Sequence, residues 1–369
     1  MLSSPLPSSL VASLPPAGLG VIEGFFGQSW SWLARNHYAQ WLPAHGYGFY
    51  IYAPKDDACL RRTWWLSWSD EQWQHLVDLR ECCRQNGLAF GIGLTPLGAH
   101  HNYRQHRPRL LARIDEINRR LQPDILAVLF DDMPSDTPQL ASLQLEIAHD
   151  IAAHSQAKRH IFCPSFYSTD PVLERVFGAM PTDYWQTLAC GLDSRFDLFW
   201  TGPKVCSDSY PEDHLRWVID TLGRKPFLWD NYPVNDGKKA SDYLYLRAFQ
   251  HRPPSLGSYL AGHAVNPMKQ PGLSRLPLAS LPLSYALGEH YDADAIWLEQ
   301  AQRDLGPTIA NLLATDLTWF CETGLAQLST QQHQILLERY QPYADNASVA
   351  ELLGWLNGND RFDPACLTG

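Results

Sequence analysis

The stretch Ile125-Leu-Ala-Val-Leu-Phe-Asp-Asp132 decides how this chain is read. Six consecutive apolar residues end in two carboxylates. An unbroken apolar run of this length, without polar alternation, is how a strand buried on both faces of a parallel sheet is written. Similar runs lie on either side of it: Val21 to Phe26, Phe49 to Ala53, Ala89 to Thr95, Ile161 to Tyr167, Leu198 to Gly202, Phe227 to Asp230 and Tyr259 to Val265. Their starts recur at roughly 34 residues, the span of a strand, a helix and two loops.

The intervals carry helical periods. Trp73, Leu76, Val77 and Cys83 share one face of Glu71 to Asn86, with Ser69 or Asp70 as cap and Gly87 as stop. Leu110, Ile114, Ile117 and Leu121 form a second stripe. Thr137-Pro138 is expected to open a third helix bearing Leu143, Ile147 and Ile151. Eight strands alternating with helices predict a (β/α)8 TIM barrel over residues 18–290. A doubly wound sheet is the alternative, but no GxGxxG follows the first strand. Residues 1–17, rich in Ser, Pro and Leu, are expected to form a flexible N-terminus. Residues 291–369 read as a small C-terminal helical appendage, with helices over 292–305, 307–328, 331–340 and 347–356.

Composition narrows the function. The 369 residues carry 29 Lys and Arg against 39 Asp and Glu, a net charge of −10, which argues against a nucleic-acid partner or a polybasic membrane surface. No apolar run approaches the length of a membrane span, and the N-terminus lacks a basic signal start. Eight cysteines without a CxxC are expected to be reduced, mostly buried thiols, which points to a cytoplasmic location. Fourteen tryptophans are an excess, and flat apolar faces suit sugars among other ligands.

In a barrel the chemistry gathers at the C-terminal strand ends. Here those ends deliver Gly24 to Gly27, Lys55-Asp56-Asp57, Asp131-Asp132, Ser165 to Tyr167, Thr201, Trp229 to Asp236 and Asn266. Two adjacent acids after an apolar strand face desolvation and mutual repulsion, which leaves one protonated and one ionised near neutrality. Such a pair suits glycosidic bond hydrolysis. A solvated loop start or a pair of metal ligands would also be written this way. Direct displacement wants its acids on opposite sides of the anomeric carbon. Sequence neighbours fit better when the substrate supplies its own nucleophile, as a 2-acetamido sugar does by closing to an oxazoline.

The combined segments Gly20-Val-Ile-Glu-Gly-Phe25, Tyr50 to Asp57, Leu129 to Asp132, Phe162-Cys-Pro164 with Tyr167, Trp200-Thr-Gly-Pro203, Trp229 to Asp236 and Asn266-Pro-Met268 resemble glycoside hydrolase family 84. That family comprises β-N-acetylglucosaminidases, protein O-GlcNAcases and so-called hyaluronidases. The resemblance covers about residues 20 to 290 and implies a retaining exo-β-N-acetylglucosaminidase acting on a GlcNAc-containing glycan, with no cofactor and no metal. It implies that Asp131 orients the acetamido group and Asp132 is general acid, then base. Tyr167 would bond the acetamido oxygen, Asn231 would fix that region and Trp229 would wall the methyl pocket. Gly24, Lys55, Asp236 and Asn266 would bind sugar hydroxyls, with Phe25 and Thr201 among the binding residues. Phe26 stands where the family usually has Tyr, and Phe166 where it usually has Glu.

Other features take plainer readings. His100, His101 and His106 suggest a metal, but no carboxylate partner is evident beside them, and a solvated loop is preferred. Trp64, Trp65 and Trp68 are candidates for a sugar platform, whereas Trp73 fits the core face of its helix. Asp56-Asp57 reads as holding its loop and Lys55. An inactive GlcNAc-binding barrel is the alternative function, and it would be expected to lose the acid pair. The C-terminal helices are expected to offer a homo-oligomer contact.

Overall fold

The computed structural model describes residues 13–359 and 362–368. Eight parallel strands close into a barrel in sequence order, with β8 paired to β1. They are β1 (Leu19–Glu23), β2 (Tyr47–Tyr52), β3 (Ala89–Leu94), β4 (Ile125–Leu129), β5 (Arg159–Cys163), β6 (Phe196–Trp200), β7 (Pro226–Asp230) and β8 (Gly262–Val265). All eight fall on the apolar runs, shifted by a few residues at their ends. β4 is buried along its whole length, as its unbroken apolar run requires.

The helices that coat the barrel are α1 (Trp32–Ala44), α2 (Asp70–Gln85), α3 (Tyr103–Arg120), α4 (Leu140–His154), α5 (Val172–Phe177), α6 (Tyr184–Gly191), α7 (Glu212–Leu222), α8 (Pro271–Leu278) and α9 (Leu281–Leu287). Ser69 caps α2 and closes a capping box with Gln72. The third expected helix begins at Leu140 rather than at Thr137-Pro138. Thr137 instead closes a turn before it, with its carbonyl accepting from Leu140 N–H at 3.3 Å.

Residues 13–17 belong to the barrel rather than to a flexible tail. Ala17 N–H donates to Ala261 O at 2.8 Å, and the Ser13 hydroxyl donates to Tyr285 O. The rest of the expected flexible stretch, 1–12, lies outside the described residues.

Further along lie α10 (Ala293–Leu305), α11 (Pro307–Thr318), α12 (Thr330–Tyr340) and α13 (Ala347–Leu356). The helix expected over 307–328 stops at Thr318, continues as a wide turn and breaks at Gly324. That glycine has φ +77°, and a Cβ there would lie 3.0 Å from Asp242 O. These helices share one apolar core with the barrel's own loops. Trp297, Leu313, Phe320, Tyr340 and Trp355 pack with Leu244, Leu246, Met268 and Leu273. The Glu351 carboxylate accepts from Gly272 and Leu273 N–H at 2.9 Å each, which places a negative charge at the start of α8. Among the described residues no helix is long and apolar enough to cross a membrane.

Inside the barrel a column of rings rises toward the C-terminal face. Phe49 packs on Phe227, Phe227 on Phe199 and Phe199 on Trp229, with centroids 5.1–5.6 Å apart. Outside it, the end of β7 is tied by a buried ion cluster. Asp230 accepts from Arg252 at 2.8 and 3.0 Å and contacts His263 of β8 at 3.0 Å. Arg252 also donates to Ser207 O and Asp208 O. Burial opposes the Asp230 charge, but the Arg252 charge and the hydrogen bonds from His263 and Arg252 more than offset it and hold the carboxyl below its ordinary range.

Removing one member of a buried pair strands the other, at a cost of about 3–5 kcal/mol. Asp230→Ala should lower unfolding stability by that order in urea titration. The exposed pair Arg303–Glu299 offers the control, since Arg303→Ala should cost about 0–1 kcal/mol. Because the Asp230 pKa is lowered by folding, its contribution is present above the usual carboxylate range and is lost as pH falls through the folded value.

Candidate active site

The strand ends converge on one cavity lined by Gly24, Phe26, Lys55, Asp131, Asp132, Cys163, Tyr167, Thr201, Val205, Cys206, Trp229, Asn231, Val234, Asp236 and Asn266. The residues expected from the sequence therefore come together, with Phe25 the exception. Phe25 points into the core against Trp30, at 5.9 Å, and only its carbonyl faces the loop, accepting from Lys55 N–H. Phe26 lines the cavity in its place. Side chains alternate along an extended segment, so of two adjacent phenylalanines only one can face the cavity.

The acid pair sits at the cavity's heart. Asp131 is 5% exposed; one of its carboxylate oxygens, Oδ2, pairs with the buried Lys55 ammonium. The other, Oδ1, is buried and has no hydrogen-bond partner. An anionic oxygen left in that state is costly unless a donor arrives. Asp132 adopts φ +56°, a left-handed conformation uncommon for a residue with a Cβ. Its Oδ1 accepts from Tyr167 Oη at 3.0 Å, and its carbonyl accepts from Arg61 Nη2 at 3.3 Å. Burial raises the Asp132 pKa and the Asp131 charge adds to it, while Lys55, Arg61 and Tyr167 pull the other way. The balance leaves the Asp132 carboxyl above its ordinary range, toward holding a proton.

Lys55 and Tyr167 touch the acids rather than standing open to a ligand, a geometry the expected contacts with sugar hydroxyl and acetamido oxygen did not include. Lys55 Nζ also lies 5.7 Å from the Trp229 ring centre.

A chain of amides runs round the far wall. Asn231 Oδ1 accepts from Trp229 Nε1 at 2.9 Å and from Asn266 Nδ2 at 3.0 Å, and Asn231 Nδ2 donates to Val205 O. Asn266 Oδ1 accepts from Gly24 N–H at 3.2 Å. Asp236 Oδ2 accepts from Phe26 N–H at 2.7 Å. Its pKa is pushed up to about 6 by desolvation, with Asp132 adding and the Phe26 N–H opposing. Thr201 turns its hydroxyl to Lys204 O, so it supports the loop.

Asp56 and Asp57 hold their loops as expected: Asp56 accepts from Ser29 N–H, and Asp57 from Tyr52 Oη, Trp68 Nε1 and Cys59 N–H. Neither holds Lys55, which is taken by Asp131. Trp64, Trp68 and Trp73 are buried, leaving Trp65 as the exposed member of that stretch. His106 packs against Trp64, apart from the other two histidines. His100 and His101 do have a carboxylate beside them, that of Asp136 at 3.1 and 3.4 Å, which the sequence reading missed because it lies in the next βα loop. Arg61, Val205, Cys206 and Val234 were also missed. Apolar loop residues give no local signal, and Arg61 reads as surface charge.

Residues 19–315 match the family model described as beta-N-acetylglucosaminidase. Protein O-GlcNAcase of Mus musculus and that of Rattus norvegicus are each 27% identical over 258 residues, covering 67% of this chain and 28% of theirs. The matched stretch thus spans little more than a quarter of those relatives. A solved Thermobaculum terrenum O-GlcNAc hydrolase mutant is 25% identical, with a TM-score of 0.76 over 94% of this chain and 81% of that one.

Gly24 tests the packing of the wall. A Cβ at this position would lie 2.6 Å from the Trp229 ring. Gly24→Ala should therefore displace the indole and cost about 1–3 kcal/mol, the usual penalty of overpacking. A lowered melting temperature with altered tryptophan fluorescence is the expected result.

Proposed function

Because the chain belongs to the beta-N-acetylglucosaminidase family and is a glycoside hydrolase, we propose that it removes terminal β-linked GlcNAc with retention, the substrate's own acetamido oxygen being the nucleophile. One observation carries this reading. Asp131 presents a buried oxygen that no donor among the described residues reaches, beside Asp132, a carboxyl that burial and the Asp131 charge push above its ordinary range. The two follow one another at the end of a single strand, whereas direct displacement calls for acids on opposite faces of the sugar.

In this mechanism the acetamido N–H donates to Asp131 Oδ1. The carboxylate holds the amide oxygen against C1 and balances the positive charge that grows on nitrogen as the oxazoline closes. Asp132 gives its proton to the leaving oxygen. It then takes a proton from the water that opens the oxazoline from the face the leaving group vacated. Two inversions at C1 give retention. Tyr167, already bonded to Asp132, turns its hydroxyl to the amide oxygen. Trp229 walls the methyl group, and Asn266 and Asp236 receive the ring hydroxyls. The protein substrates named for the relatives enter here as a candidate class, with a GlcNAc-modified side chain as leaving group.

Aryl β-N-acetylglucosaminides of graded leaving-group acidity test the roles. Asp132→Asn should lose ~10²–10⁴ in kcat/KM with a poor leaving group and far less with an acidic phenol. Asp131→Asn should lose similarly across the series. Mono-, di- and trifluoroacetyl substrates should fall steeply in rate as the amide oxygen weakens. A flat fluorine series, or a covalent adduct on Asp131, would sink the substrate-assisted reading.

The pH profile follows from the two raised carboxyls. Activity should fall on the alkaline side as Asp132 loses its proton. Binding of GlcNAc should weaken on the acid side, below about 6, as Asp236 gains one and ceases to be a full acceptor. Calorimetric titration at several pH values should show that acid-side loss in the native chain and none in Asp236→Asn, which starts weaker.

A further inference from the structure

The catalytic cavity is not closed by barrel residues alone. Cys366 and Thr368 line it together with Asp131, Asp132, Trp229 and Asp236. Cys366 is 5% exposed, while Leu367 beside it is 56% exposed and Pro364 and Ala365 also face solvent. The segment is shaped by its own turn, in which Cys366 N–H donates to Asp363 O at 3.0 Å and Ala365 N–H to Asp363 Oδ1 at 2.9 Å. Cys366 belongs to neither of the two apolar cores. Its burial is burial in the active site.

The space that remains decides what this means. The cavity between the segment and the strand ends holds about 50 Å³. A cavity of about 150 Å³ is what one benzene molecule occupies in a protein interior. An N-acetylhexosamine has more than twice the heavy atoms of benzene and cannot enter beside Cys366.

We propose that residues 362–368 form a self-inhibiting plug, which occupies the sugar site and has to leave before a glycan binds. The proposal rests on the GlcNAc-hydrolase reading for the identity of the competing ligand. The segment carries Cys366 and Thr368 into the cavity while Pro364, Ala365 and Leu367 face solvent. The closed population taxes affinity: a site covered nine-tenths of the time binds about tenfold more weakly than an open one. Binding is what suffers, because the acids themselves are undisturbed once the segment has left.

Two substitutions in the full chain separate a plug from a wall that helps hold the sugar. Cys366→Glu places a carboxylate among Asp131, Asp132 and Asp236 and should drive the segment out. Leu367→Glu adds the same charge on the solvent side. Cys366→Glu is expected to lower KM for an aryl β-N-acetylglucosaminide, and the calorimetric Kd for GlcNAc, by about tenfold at unchanged kcat. Leu367→Glu should match the native chain. In the native chain, saturating GlcNAc should speed alkylation of Cys366 by iodoacetamide, read by peptide mass spectrometry.

An unchanged or raised KM in Cys366→Glu, or slower Cys366 alkylation with GlcNAc present, overturns the plug while turnover keeps the hydrolase reading standing. If neither chain binds or cleaves the sugar, Cys366→Glu has gained nothing. The plug then falls, and the absent turnover marks the failure of the hydrolase reading as well.

Discussion

Two carboxyl groups at the end of a buried strand cannot both be charged without compensation, and the site is built around that constraint. Lys55 compensates one of them. Its ammonium pairs with Asp131 from the end of β2, so that acid's charge is balanced where it sits. Asp132, with the buried Asp131 charge beside it, has its pKa raised by desolvation first and by that charge second. The two carboxyls are thereby placed in unlike surroundings, one paired with an ammonium and one pushed toward its protonated form, which is the difference the proposed division of labour draws on. The cost is carried by the barrel, which gathers residues from seven of its eight strand ends around one cavity.

The supporting clusters show how that cost is met. Glu23, wholly buried at the end of β1, is held by Arg35 through two hydrogen bonds at 2.8 Å and by Tyr50 and Trp30. Asp230 plays the same part at the end of β7 with Arg252 and His263. Both acids are the last residue of their strands, and both point away from the cavity. They fix the backbone from which Gly24 and Asn231 start, and the amide chain from Gly24 through Asn266 to Asn231 closes the barrel's seam on the inner side. The helices beyond residue 291 act through the same seam. Glu351 steadies the start of α8, just after the loop that carries Asn266.

Much of this was legible in the sequence because burial writes itself in composition. A strand covered on both faces has to be apolar, and the polar residues that follow it mark the end of the barrel where a cavity can form. That logic placed the eight strands and singled out Asp131 and Asp132, while the roles expected of Asp236 and Asn266 came from the family resemblance. It failed where the signal is one of parity or distance. Phe25 and Phe26 are the same residue type, and only the alternation of side chains decides which enters the cavity. Asp136 joins His100 from another βα unit. The break at Gly324 depends on the loop packed against it, and Cys366 lies more than a hundred residues beyond the strands whose cavity it lines. Lys55 and Tyr167 line the cavity through contacts with the acids, which the sequence does not reveal.

The left-handed backbone at Asp132 ties these points together. In an extended segment adjacent side chains face opposite ways, so a sequence pair of acids would send one into the cavity and one into the barrel wall. A residue at φ +56° breaks that alternation and lets both carboxyls look into the same space. The conformation costs on the order of 1–3 kcal/mol and persists only where its surroundings insist on it. Here they do. Arg61 holds the Asp132 carbonyl, and its guanidinium lies 5.2 Å from the Phe26 ring centre; Tyr167 holds the carboxyl, and Phe130 N–H is fixed on Cys163 O just before the turn. A glycine would relieve the strain but would remove the acid. The backbone strain is thus what converts two neighbours in sequence into two carboxyls that share one cavity.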